Sequence, residues 1–207
     1  AIIVMPNNSA SVKIEAVKSF GGTVELVDVK VKTRASRVAE LSAQYPDAEV
    51  LSAYDHDHVI AGNSTLGNEI AHKASDFDYV IAPMGGGGLV CGLILGLKRS
   101  GLAMPVYGAE PLLANDAKRS LVAGHIISNE TEPQTIADGA RTLSLGQRNW
   151  KILKDGVADI LEVSDEAIKD AVRNLFKLAN LKAEPTGAVA VAACLANKEL
   201  FRGKRVV

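Results

Sequence analysis

The stretch PMGGGGLVCG, Pro83 to Gly92, sets four consecutive glycines between two apolar runs. Glycine loses more conformational freedom on folding than any other residue, and it offers no side chain to pack. Upstream, Tyr79–Pro83 is a continuous apolar run of the kind buried on both faces of a parallel sheet. Downstream, Leu89–Leu97 is apolar on every side, as in a core helix. A buried strand, a glycine turn and a helix make an anion site. Turn amides point outward, and the helix N-terminus adds partial positive charge. Without Cβ atoms, a phosphate can rest on the backbone itself. A tight, closely packed turn is the plainer explanation, but one or two glycines suffice for that.

The flanking residues narrow the choice of phosphate. A P-loop closes with Lys-Ser/Thr, whereas Leu89-Val90 follow here. A dinucleotide fold needs G-x-G-x-x-G and an acidic residue about 20 positions on. Glu110 suits the second role, but Gly86 and Gly88 would require glycine at position 91, which is Cys91. Both nucleotide readings are disfavoured.

Strands and helices alternate on either side of this unit. Ile2–Met5 reads as a strand, Ser9–Phe20 as a helix closed by Gly21-Gly22, and Thr23–Val29 as a strand. Arg34–Gln44 reads as a helix and Glu49–Ser52 as a short strand, giving β-α-β-α-β. AYDHDHVIAGNS is polar and turn-rich and reads as a hinge loop, His56-Asp57-His58 included. Asn63 or Ser64 then caps a helix carrying Leu66, Ile70 and Ala74. After the glycines come strands at Met104–Ala109, ending at Glu110, and at Ala158–Val163. Ser164 caps a helix with Ile168, Val172, Leu175, Phe176 and Ala179 on one face. Thr186 caps an Ala-rich helix reaching about Glu199. The alternation predicts an α/β protein with parallel sheets flanked by helices.

Composition excludes some partners. The 207 residues carry a formal net charge of -1 and no basic block, which argues against nucleic acid. The apolar runs are shorter than the roughly 18–20 residues that span a membrane. Cys91 and Cys194 lie in apolar helical runs, as buried reduced thiols of a cytoplasmic protein do. AIIVMP opens inside a strand without Met, and GKRVV closes as a glycine turn entering another strand. Both ends read as cut, so a truncated chain is expected.

APMGGGGLVCG, YGAEPLLANDA, TIADGA, VSDEAI and EPTGAVAVAA follow one another in this order. Together with the opening IVMPNNSASVKIEAVKSFGGTVELV, they resemble the pyridoxal-phosphate-dependent serine/threonine dehydratases and serine racemases, the fold-type II enzymes. The resemblance covers essentially the whole chain. It implies a partial small lobe over residues 1–53 and a large lobe over residues 54–207. It implies that Gly85, Gly86, Gly87, Gly88 and Leu89 hold the phosphate of pyridoxal 5′-phosphate. Gly139 would border the cofactor cleft, and Glu184 would lie close to the ring. Glu110, the carbonyl of Ala114 and Asp116 match a cation site, and their hard oxygens suit Mg²⁺, Ca²⁺ or Mn²⁺. Plain helix-capping acids are the alternative there. Where the family shows GQGT this chain has GNST, so Ser64 replaces a glycine.

The family's chemistry needs a lysine that holds the cofactor covalently and takes the substrate's α-proton. That lysine sits in an S-x-K-x-R-G context, which residues 1–207 lack. The S-x-G-N-H and S-G-G-N segments are also missing. The resemblance therefore implies a dehydratase of L-serine, L-threonine or a related amino acid whose catalytic lysine lies outside this chain. A serine racemase on the same scaffold and a non-catalytic phosphate-pocket protein are the alternatives. A homodimer and a small amino-acid substrate are implied as partners.

Overall fold

Every ladder in the computed structural model, which describes residues 1–73 and 76–207, is parallel. Ala74, expected on a helix face with Leu66 and Ile70, lies outside the described residues. Two compact units divide the chain at Ala1–Leu51 and Ser52–Val207.

The first unit holds β1 (Ile2–Pro6), α1 (Ser11–Ser19), β2 (Thr23–Val27) and α2 (Arg34–Gln44). β1 and β2 pair from Ile2 opposite Thr23 to Pro6 opposite Val27. Parallel neighbours need a crossover, and α1 supplies it. Gly21, at φ +77°, follows the last turn of α1 in the left-handed conformation that glycine adopts without strain. Thr33 starts α2 by accepting the Ser36 N–H at 3.1 Å. The strand expected at Glu49–Ser52 does not form. β1 and β2 make a two-stranded sheet with no third partner among the described residues, and Val50 and Leu51 stay exposed. A short apolar run is a strand only when a ladder takes it.

The second unit holds α3 (Asp57–Lys73), β3 (Val80–Pro83), α4 (Gly88–Arg99), β4 (Val106–Pro111) and α5 (Asp116–Ala123). It continues with α6 (Gln147–Gly156), β5 (Val157–Val163), α7 (Asp165–Ala179), α8 (Pro185–Ala196) and α9 (Lys198–Phe201). Short 3₁₀ turns occupy Leu112–Ala114 and Asp138–Ala140. The sheet runs β3-β4-β5. On the outer side of β3, Val206 bridges Tyr79 in parallel after the turn at Gly203, φ +69°, as GKRVV predicts.

Successive strand residues face opposite sides. Val80, Ala82, Val106 and Ile160 pack with Leu93, Leu97 and Leu153 from α4 and α6. Ile81, Ala109 and Val163 pack with Ile168, Ala171, Ala188 and Val189 from α7 and α8. The sheet is thus covered on both faces, which explains its continuous apolar strands.

Several boundaries differ from expectation for local reasons. α3 begins at Asp57, so much of the expected hinge is helix, and Asn63 and Ser64 lie inside it. His56 Nδ1 accepts the His58 N–H at 3.2 Å near its start. Ser64 is buried and turns its Oγ back onto the Ala61 carbonyl at 2.6 Å, which fits a side chain where the resemblance places glycine. Glu184, not Thr186, occupies the N-cap of α8, with Pro185 in the first turn where its missing N–H costs nothing. Phe176, expected on the buried face of α7, is 65% exposed, and Ala171 takes the inner position instead. Ser164 caps α7 as expected, accepting the Ala167 N–H at 3.2 Å. Among the described residues no helix is long and apolar enough to cross a membrane.

Candidate active site

The carboxyl end of β3 leads through Met84 into the glycine run and then into α4. Gly85 and Gly87 take φ +48° and +97°, so the run alternates in hand. Such alternation turns successive amides toward one concave side. Gly87 caps α4, and the first bond of that helix is Cys91 N–H to Gly87 O at 3.0 Å. The amides of Gly88, Leu89 and Val90 therefore precede any intrahelical partner. The Gly87 N–H is used internally, donating to Met84 O at 3.0 Å.

The chain itself requires each of the four glycines. A Cβ on Gly86 would lie 2.2 Å from the Tyr54 ring, and one on Gly88 would lie 2.7 Å from the Tyr54 carbonyl. A Cβ on Gly87 would meet Leu153 at 2.8 Å, and Gly85 and Gly87 both hold positive φ. The count of glycines, taken from sequence as the mark of a ligand, is explained by close packing. What speaks for an anion is the direction of the amides at a helix N-terminus.

A brace lies behind the run. The Asp55 carboxylate accepts the N–H groups of Gln147 at 3.0 Å and Arg148 at 2.9 Å, capping α6 from a distant segment. Asn149, with no exposed surface, donates Nδ2 to Gly86 O at 2.8 Å and to Tyr54 O at 3.0 Å. Gly146 N–H donates to the same Gly86 carbonyl at 3.1 Å.

On the other flank, Gly139 approaches the run: a Cβ on Gly85 would sit 3.4 Å from the Gly139 carbonyl. The Gly139 N–H donates to Thr186 Oγ1 at 3.0 Å, joining this loop to the first turn of α8. The loop is tied further back by Asp165, which accepts from Thr135 Oγ1 at 2.6 Å and the Ile136 N–H at 3.0 Å.

A second cluster lies at the end of β4. Glu110 is 2% exposed and accepts the Lys118 N–H at 2.7 Å, so it does act as a cap for α5. Asp116 is 1% exposed; its Oδ1 accepts from Asn129 Nδ2 at 2.9 Å. Its Oδ2 is buried without a partner among the described residues. Ala114, also buried, ends the 3₁₀ turn between them. Burial pushes Glu110 up to about 8, against the pull of the α5 amides and with a further push from Asp116. Burial pushes Asp116 up to about 6. An orphaned carboxylate oxygen and two acids held against ionisation are what a cation between them would relieve. Among the described residues no group of three or more His, Cys, Asp or Glu side chains gathers to hold a metal, so a ligand set here rests on two carboxylates and a carbonyl.

The pyridoxal-phosphate dependent enzyme family model matches residues 1–207. The chain belongs to the pyridoxal-phosphate dependent enzymes. It is 35% identical over 206 residues to a serine racemase of Schizosaccharomyces pombe, covering all of this chain and 63% of the relative. It is 34% identical to an L-threo-3-hydroxyaspartate ammonia-lyase of a Pseudomonas species, covering all of this chain and 64% of the relative. Among solved structures it superposes on the T.th. threonine deaminase with a TM-score of 0.89 at 39% identity, covering 97% of this chain and 65% of that one. It superposes on maize serine racemase with a TM-score of 0.90 at 30% identity, covering all of this chain and 63% of that one. The chain thus spans less than two thirds of the length of these relatives.

Within this pyridoxal-phosphate family fold, Gly85–Leu89 and Gly139 come together. Glu184 caps the helix whose first turn carries Thr186, the partner of Gly139. Glu110, Ala114 and Asp116 form their own cluster at the end of the neighbouring strand. Sequence reading missed Tyr54, Asp55 and Asn149. Nothing local marks them, because the contacts of Asp55 with α6 link positions more than 90 residues apart.

Proposed function

We propose that the protein containing this chain is a pyridoxal-phosphate dependent ammonia-lyase that eliminates water from L-serine, L-threonine or a related β-hydroxy amino acid, the resulting imine taking up water again to give a keto acid and ammonia. The concave amides of the glycine run, at the carboxyl end of β3 and the N-terminus of α4, carry the proposal. In this reading the amides of Gly85, Gly86, Gly88 and Leu89 bind the phosphate, and the helix dipole of α4 favours its charge. The Gly139 loop closes one side, and Glu184 stands at the border nearest the ring. When bound, the cofactor supplies an electron sink for chemistry at the amino-acid α-carbon. The residues of this chain orient it and shield it from water. The proton-abstracting lysine is assigned to the parent protein outside residues 1–207.

Relatives described as an ammonia-lyase and as a dehydratase, and a structure described as a threonine deaminase, support the lyase reading. Relatives described as serine racemases favour a second reading, racemisation on the same scaffold. The intact protein is incubated with L-serine and L-threonine, and keto acid, ammonia and the D-enantiomer are measured together. Keto acid with ammonia supports the lyase; accumulation of the D-enantiomer alone overturns it in favour of the racemase.

We also infer that Glu110, the Ala114 carbonyl and Asp116 hold Mg²⁺, Ca²⁺ or Mn²⁺, supported by the orphaned Asp116 oxygen. The same reading carries a homodimer acting in the cytoplasm, a compartment that suits the free thiols Cys91 and Cys194.

A further inference from the structure

Asn149 is a costly residue for its place. It is completely buried, and its Oδ1 has no hydrogen-bond partner among the described residues. An amide with an unsatisfied oxygen is less stable there than an apolar side chain of similar size. Its two donations repay that cost only if they matter. Both acceptors are carbonyls, Gly86 O at 2.8 Å and Tyr54 O at 3.0 Å, so the orientation of the carboxamide is settled: a flip would set oxygen against oxygen.

The Gly86 carbonyl is the key atom. It accepts from Asn149 Nδ2 and from the Gly146 N–H, which fills both lone pairs. The N–H of the same peptide plane, on Gly87, donates to Met84 O at 3.0 Å. One plane in the middle of the glycine run is therefore held from both sides. Glycine has no side chain with which to restrict itself, so this run needs such external restraint more than any other sequence does. With the plane held, the flanking amides of Gly86 and Gly88 keep their direction toward the concave side. The hold is itself anchored, since the Asp55 carboxylate fixes the first turn of α6 that carries Asn149.

We propose that Asn149 is a positioning residue for phosphate recognition: it aims the amides of the glycine run without touching the ligand. This rests on the reading of the run as the cofactor's phosphate site. The test compares pyridoxal 5′-phosphate with pyridoxal, which lacks the phosphate, by equilibrium binding to the intact protein. Competition by inorganic phosphate is measured alongside. Wild type prefers the phosphorylated form. Asn149→Leu keeps roughly the size but removes both donors, and it lowers that preference about tenfold or more while pyridoxal affinity holds. Inorganic phosphate then competes more weakly by a similar factor. Asp55→Ala, which leaves the carboxamide in place but frees α6, shifts the preference in the same direction by less, and it decides the matter if Asn149→Leu does not fold. Equal loss of both ligands, or an unchanged preference in a folded variant, overturns the positioning role. A wild type that does not distinguish the two ligands overturns instead the phosphate reading beneath it.

Discussion

Burial pushes the Cys91 thiol up to about 12, so at pH 8 it stays protonated and unreactive in the folded chain. A thiol reagent is expected to leave Cys91 unmodified in native protein and to label it after unfolding in denaturant, as peptide mapping would show. Fast native labelling of Cys91 would contradict its place under α6, where its Sγ lies 3.4 Å from the Asn149 carbonyl. Gly86 makes a sharper case. Its replacement by alanine puts a methyl into the Tyr54 ring, so loss of stability is expected even without cofactor. Tyr54→Ala in the same chain should recover much of that loss, which chemical denaturation of the two single variants and the double variant measures. Cofactor loss in a Gly86 variant therefore says little about phosphate contact. Glu110→Gln is the cleaner residue-scale test of the cation site. At neutral pH Glu110, at about 8, is already largely protonated in the metal-free fold, so glutamine should fit with little change in stability. The rise in unfolding temperature produced by Mg²⁺, Ca²⁺ or Mn²⁺ after chelation should disappear with it.

Elements rest on contacts of two kinds. α7 depends on its own cap: Ser164→Ala is expected to cost about 1 kcal/mol, read from denaturant midpoints. α3 and α4 depend on close approach. A Cβ on Gly96 would sit 2.2 Å from the Ser64 carbonyl, and one on Gly67 would sit 2.8 Å from the Leu93 carbonyl. Backbone cannot step aside as a side chain can, so Gly96→Ala should destabilise by about 2–3 kcal/mol. The departure GNST keeps this packing because the Ser64 hydroxyl folds back onto the Ala61 carbonyl of its own helix at 2.6 Å, and it also accepts from Arg99 of α4 at 3.4 Å. The helices that carry the candidate site were partly legible. Ser164 and the apolar run after the glycines marked α7 and α4. α6 was not marked, because its start is capped by Asp55 from elsewhere in the chain.

At the scale of the molecule, the buried acids tie stability to pH. Glu110 is raised in the fold from an ordinary 4.5 to about 8. The folded chain therefore keeps a proton that the unfolded chain releases. Its contribution is fully present below the unfolded value and is lost as pH rises toward about 8. Metal-free protein should lose stability across that window, and a saturating divalent cation should flatten the loss; thermal scans at pH 5, 7 and 8.5 test both. The second unit, with a sheet covered on both faces, is expected to show slower amide exchange than the first unit, whose β1 and β2 leave Ile2, Ile3 and Leu26 exposed.

Apolar runs and glycine turns in the sequence determined the parallel α/β class, the position of the glycine loop between β3 and α4, and the Ser164 cap of α7. These are properties of neighbours along the chain, where periodicity and backbone freedom act. Ordered motifs also carried the family. The tertiary structure alone decided why four glycines stand together: Tyr54, Leu153 and left-handed backbone exclude side chains there. It alone placed Asn149 behind the Gly86 carbonyl and left one Asp116 oxygen without a partner among the described residues. The glycine run and its brace arise from groups far apart in sequence that folding buries together. There a missing Cβ or an unpaired oxygen acquires an energy that no local pattern contains.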